Sequence, residues 1–233
     1  ILLCVGAPVA ATRPRHQGRD ALEEGSYSTA IDRCRRAASL VPRHAPTHYN
    51  LPAAYEAVHD YEQAIAEYQT ALELDDEFWP VYNNLGRLHI RALGDPDAAL
   101  ATLQAGQRRA TDPLGEAVIG GNIAWAYLEK DLPRAALTEL EQVTGDLDGL
   151  RRQGQSVEIY LARAHELEAL AHQALENPSE AHRAWQDCLG YALAVAESAA
   201  CSSGGSRLPP DCLDAFRYAA EAREELANGT GGR

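Results

Sequence analysis

Residues His48 to Ile90 read HYNLPAAYEAVHDYEQAIAEYQTALELDDEFWPVYNNLGRLHI, and this stretch decides the fold. Its apolar residues recur at the three- and four-residue spacing of an amphipathic helix, and nowhere does it alternate apolar with polar as a strand would. The small residues recur over a longer distance: Ala30, Ala64 and Ala98 are spaced by 34 residues, and so are Ala37, Ala71 and Ala105. A period of that length marks a helix pair that cannot bury its apolar face alone and must stack on copies of itself.

Working outward, the spacing lays out about five units. The first runs from Ala11 to His44, the second from Ala45 to Phe78 and the third from Trp79 to Asp112. The fourth keeps Ile123, Ala124, Tyr127, Ala136 and Leu140, with four extra residues expected near Thr111-Asp112-Pro113. The fifth carries Ala169, His172, Ala181, Trp185 and Cys188 after an insertion, for which Gly145-Asp146-Leu147-Asp148-Gly149 is the expected loop. That loop would lead into a long helix over residues 151–175. Small residues stand where helices cross, at Gly18, Gly86, Ala124 and Ala169, but the second unit has Pro52 there, which should kink its first helix. Asp95-Pro96 and Asn177-Pro178 each offer a capping side chain followed by proline, so each should start a second helix.

This pattern resembles the tetratricopeptide repeat family closely. The resemblance implies an all-α fold, a right-handed superhelix closed by a C-terminal capping helix, in which the first helices line a concave groove. The expected organisation is an apolar segment over 1–11, the solenoid over 12–200, a turn over 201–210, the capping helix over 211–227 and a tail over 228–233. A position just before the Leu of each first helix would point into the groove, here Asn50, Asn84 and Asn122. An amide both donates and accepts, so a row of them can hold an extended peptide by its backbone. Asn at this position is also common in generic repeats. Tyr49, Asn83, Arg87, Arg91 and Trp125 lie near the row on the same helices. The family's chaperone-tail clamp lacks its set of basic residues, and the first unit has Gln17 in place of Asn. Arg87 and Arg91 remain able to hold one acidic group.

Composition narrows the partner. The 233 residues, 45% hydrophobic and 24% charged, exclude collagenous, disordered and multi-span membrane classes. With 21 basic against 34 acidic residues the net charge is −13, which excludes a general phosphate-backbone binder and makes nucleic acid a poor partner. Residues 1–44 hold 7 Arg against 4 acids, whereas residues 45–150 hold 6 basic residues against 18 acids. The basic edge, led by Arg13, Arg15 and Arg19, reads either as a docking edge or as a solvated cap.

No phosphate loop, HExxH, GxSxG or isolated carboxylate pair occurs, so no enzyme, cofactor or small-molecule substrate is expected. His165 and His172 are read as interhelix packing residues rather than as metal ligands together with His182. Of the five cysteines, Cys34 and Cys188 fall on core positions. Cys201 and Cys212 flank a Ser-Gly-Pro turn, where either a disulfide or two unpaired thiols are consistent with the spacing. The apolar start, Ile1 to Ala11, ends in Val9-Ala10-Ala11 and fits the tail of a secretory signal or anchor. The expectation is therefore a protein-binding scaffold in a periplasmic or membrane-associated setting, possessing a protein or peptide partner such as a membrane complex. A cytoplasmic setting, or an interaction region of a longer protein, is the alternative.

Overall fold

The computed structural model describes residues 20–198 and 210–230. Among them there is no strand, and eleven α-helices follow one another. They are α1 (Asp20–Leu40), α2 (Ala45–Asn50), α3 (Pro52–Ala57), α4 (Tyr61–Leu74), α5 (Trp79–Leu88), α6 (Pro96–Gln107), α7 (Pro113–Glu129), α8 (Pro133–Arg152), α9 (Glu158–Ala174), α10 (Pro178–Ala196) and α11 (Pro210–Thr230). A π-helical turn, His89–Leu93, extends α5. No helix among the described residues is long and apolar enough to cross a membrane.

Four helix pairs stack between α1 and α11. The first helices touch their successors directly, α5 with α7, α7 with α9 and α9 with α11, whereas each second helix packs on the first helices before and after it. Helices that meet on one side only bend the array, so the first helices lie on its inner face. The core is a ribbon of clusters threading the stack, from Leu51, Tyr68 and Leu85 through Leu103, Ile119 and Ile123 to Leu140, Leu147 and Leu161, ending on Trp185, Cys188 and Tyr218. Each wholly buried Leu or Ile contributes about 1.5–3 kcal/mol.

The period is not uniform. Ala99 and Gly106, not Ala98 and Ala105, are the buried counterparts of Ala64 and Ala71, so this step is 35 residues. The π turn absorbs the extra residue by widening one helical turn, and the amide of Asp95 closes on His89 O at 2.9 Å. Gly94 ends it at φ 61, a left-handed conformation that glycine adopts without a Cβ penalty. Only three extra residues then remain between α6 and α7. Gly106 permits close approach of α6 to α5, since a Cβ there would meet Tyr82 Cβ at 2.4 Å.

Pro52 does kink its helix: α2 and α3 meet at Leu51, which is wholly buried. Asp95 caps α6 by accepting from the Ala98 amide at 2.9 Å. Asn177 precedes Pro178 at the start of α10 as expected, but its side chain makes no capping bond. The Gly145–Gly149 loop does not exist. Helix α8 runs through it because Val143, Leu147 and Leu150 fall on one helical face and are buried together against α9. The turn lies instead at residues 153–157, with Gly154 at φ 85, and the next helix begins at Glu158 rather than Arg151. Helix α1 is also unbroken, so Ala21, read as part of a first helix, shares one helix with Ala30, Cys34 and Ala37. Asn228 to Thr230, expected in the tail, continue α11.

Candidate functional site

The inner face carries a connected strip of polar side chains. At its N-terminal end Asn84 Nδ2 on α5 donates to the Tyr49 hydroxyl on α2 at 3.1 Å. Asn83 Nδ2 donates to Asn84 Oδ1 at 3.3 Å, and Asn122 Nδ2 on α7 donates to Asn83 Oδ1 at 2.6 Å and to Val118 O at 3.3 Å. Four of the expected residues are thus one hydrogen-bonded chain across three helices. Asn83 is buried while Asn84, Asn122 and Tyr49 are half-buried. Asn50 does not join: it is exposed, and its amide turns back to Pro46 O at 2.8 Å, in the short helix before the Pro52 kink.

Beneath Tyr49 and Asn84, the Tyr68 hydroxyl donates to Glu56 Oε1 at 2.9 Å. Burial pushes both groups above their ordinary proton affinities; for Glu56 the Tyr68 bond and the charges of Arg87 and Arg91 oppose the rise. Arg87 and Arg91 are exposed on the following turns of α5 and the π turn, and neither has an ion-pairing carboxylate among the described residues.

Trp125 lies one turn beyond Asn122, donating to Glu129 Oε1 at 2.9 Å. Over its ring sits the guanidinium of Arg163 from α9, 5.0 Å from the centroid. Arg163 also pairs with Glu166, a carboxylate only 5% exposed, and Arg217 from α11 approaches the other oxygen of Glu166 at 3.7 Å. Burial raises the proton affinity of Glu166, with Arg163 opposing. Burial lowers that of Arg91, with the guanidinium charges of Arg87, Arg217 and Arg163 acting the same way and the Glu56 carboxylate opposing.

Arg163, Arg217 and Glu166 were not legible as site residues. The Arg163-x-x-Glu166 spacing, an ion pair one helical turn apart, was the available signal. Arg13, Arg15 and Arg19 lie outside the described residues, as do Ile1–Ala11 and the Cys201–Cys212 pairing. Of the other basic residues on that edge, Arg35 is engaged, donating to the Tyr55 hydroxyl at 2.7 Å, while Arg33 and Arg36 are exposed. Cys34 and Cys188 are core thiols, as their positions predict, and burial pushes Cys188 up to about 12. Among the described residues no group of three or more His, Cys, Asp or Glu is arranged to hold a metal ion. His165 is taken by Glu168 at 2.7 Å and stacks on Tyr191, and His182 faces Gln186 at 3.1 Å.

Residues 55–120, from the kinked helix into the first half of α7, match the tetratricopeptide repeat family. That stretch of the chain carries tetratricopeptide repeats. A yeast relative, the small glutamine-rich tetratricopeptide repeat-containing protein 2 of Saccharomyces cerevisiae, is 30% identical over 84 residues. The match takes in 36% of this repeat protein and 24% of that relative, so it spans about a quarter of the relative's length. Two solved structures share the fold. MamA superimposes with a TM-score of 0.58 at 18% identity, over 80% of this chain and 100% of that one. PilW, a widely conserved type IV pilus biogenesis factor, gives 0.57 at 13% identity over 90% and 93%. At such identities the likeness is one of fold.

Proposed function

We propose that this repeat solenoid is a non-enzymatic scaffold or adaptor that binds a partner polypeptide in its inner groove. The observation carrying this reading is the amide and phenol chain of Tyr49, Asn84, Asn83 and Asn122. Its internal bonds fix the side chains in place, yet the carbonyl oxygen of Asn122 stays open to a ligand backbone. Such preorganisation lowers the ordering cost of binding an extended peptide. Arg87, Arg91 and Trp125 flank the chain on the same helices. The setting we favour is an accessory subunit of a bacterial envelope or membrane complex, supported by the fold likeness to the pilus biogenesis factor and by the apolar Ile1–Ala11 segment.

The test is capture of partners from membrane and periplasmic fractions with the wild-type chain and with Asn84→Ala/Asn122→Ala, helical content being checked by circular dichroism. Weakened capture by a folded double variant is the expected result; undiminished capture would move the interface off the groove. A second reading, an interaction region within a longer multidomain protein, is favoured by the yeast relative, in which the matching repeats occupy only 24% of the length. An intact reading frame separates the two.

A further inference from the structure

Several glycines inside the helices are explained by a neighbour that presses on them. A Cβ at Gly86 would meet Leu103 at 2.4 Å, at Gly106 Tyr82 at 2.4 Å, at Gly115 Trp79 at 2.8 Å and at Gly120 Val143 at 2.7 Å. Gly121 is different: it is half-buried in the middle of α7, yet a Cβ there would meet no packed neighbour within 4 Å. We infer that Gly121 is a specificity-determining residue of the inner groove, leaving a dent that receives a bulky aliphatic or aromatic side chain of the bound polypeptide. The inference rests on the groove reading and adds where the groove selects a side chain and of which kind.

Three observations carry it. The first is position: Val118 and Trp125 stand three residues before and four after Gly121, so the three share one side of α7. Beside them is Asn122, whose bond to Asn83 of α5 marks that side as the inner one. The second is the helix itself. Glycine weakens a helix interior relative to alanine, and no contact within the fold requires the missing Cβ here. Gly145, Gly149 and Gly190 are equally uncrowded, but they belong to the second helices α8 and α10, away from the groove. The third is the lining. Val118 and Trp125 are half-buried, and the indole N–H of Trp125 is taken by Glu129. On α9, Tyr160 and Leu170, 38% and 40% exposed, share the side from which Arg163 covers Trp125. The surroundings of the dent therefore offer mainly apolar surface, whereas the carbonyl oxygen of Asn122 accepts from a ligand main-chain amide. An extended segment held there by its main chain turns alternate side chains toward the floor. A bulky apolar one fills the dent and removes apolar surface from water, and alanine would leave the space empty.

The deciding experiment probes a cellulose-bound array of random dodecapeptides with the labelled chain, then measures the best-retained sequence, labelled with fluorescein, by fluorescence anisotropy. The retained peptides are expected to share one Leu, Ile, Phe or Trp, and replacing that residue by Ala should weaken binding ~10-fold or more, as lost methylenes in an apolar pocket do. Gly121→Leu, which puts its own side chain into the dent, should weaken binding by a similar factor at unchanged helical content. Gly121→Ala should raise the thermal midpoint by about 2–4 °C, since the new methyl group displaces nothing. Gly145→Leu on α8 should leave binding unchanged. An array that retains no peptide, retained peptides without a shared apolar residue, a Gly121→Leu chain that binds as wild type does, or a Gly121→Ala midpoint below that of wild type would each overturn the inference. If Asn84→Ala/Asn122→Ala weakens the peptide while Gly121→Leu does not, the groove reading stands and the dent fails. If Gly121→Leu weakens it while the amide variant does not, the dent stands and the amide row fails.

Discussion

Asn122 on α7 donates to Asn83 on α5 at 2.6 Å, so the amide that answers Asn122 is the neighbour of the one sharing its place in the repeat. Asn84, the formal equivalent, is turned toward Tyr49 of the preceding unit. Asn83 is therefore the buried link between two inter-unit contacts, and Asn83→Ala should cost about 1–2 kcal/mol of stability. Urea unfolding checks it; Asn50→Ala, which touches only its own helix, serves as a neutral comparison.

Leu147 distinguishes the continuous helix α8 from the loop that its glycine-flanked surroundings suggest. It is 1% exposed among Leu140, Leu161 and Leu167. Leu147→Ala should lower stability by about 2–5 kcal/mol, as truncation of a fully buried leucine does. A change within a few tenths of a kcal/mol would mean that the segment is not packed.

Asp95 and Asn177 both precede a helix-starting proline, but only Asp95 accepts a capping bond. Asp95→Ala should cost about 1 kcal/mol, and Asn177→Ala markedly less. Thermal denaturation of the two variants side by side measures the difference, and equal losses would contradict it.

His89 sits in the π turn with Nδ1 buried and unpartnered, and burial holds its proton affinity below the ordinary 6.5, with Asp95 opposing. The unfolded chain then takes up the proton first, so the His89 contribution is present above that ordinary value and is lost as pH falls through the folded one. Glu56, Glu139 and Glu166, all raised by burial, act oppositely: their contribution is present below the ordinary 4.5 and is lost as pH rises through their folded values. Comparison with His89→Phe isolates the imidazole. The stability of wild type relative to this variant should fall as pH is lowered from about 7 to about 5. A difference that stays constant with pH would remove the imidazole from the account.

Local chemistry was enough to specify helices, their pairing and their stacking. Ala64, Ala71, Ala124 and Ala136 are buried where their spacing puts them, Pro52 kinks its helix, and Asp95 caps the next, because backbone sterics, capping and close helix crossings are set by residue type and near neighbours. Tyr49, Asn84 and Asn122 could be proposed from their place in the repeat for the same reason. Register beyond one unit is different. One added residue is accommodated by a π turn, a longer helix or a loop at similar local cost, so the shift from Ala98 to Ala99 and the passage of α8 through Gly145–Gly149 were decided by which faces could be buried against neighbouring helices. The contacts of Glu166 belong wholly to this second kind. Arg163 and Arg217 lie far apart along the chain, and only the packing of α11 on α9 brings both guanidiniums to that carboxylate.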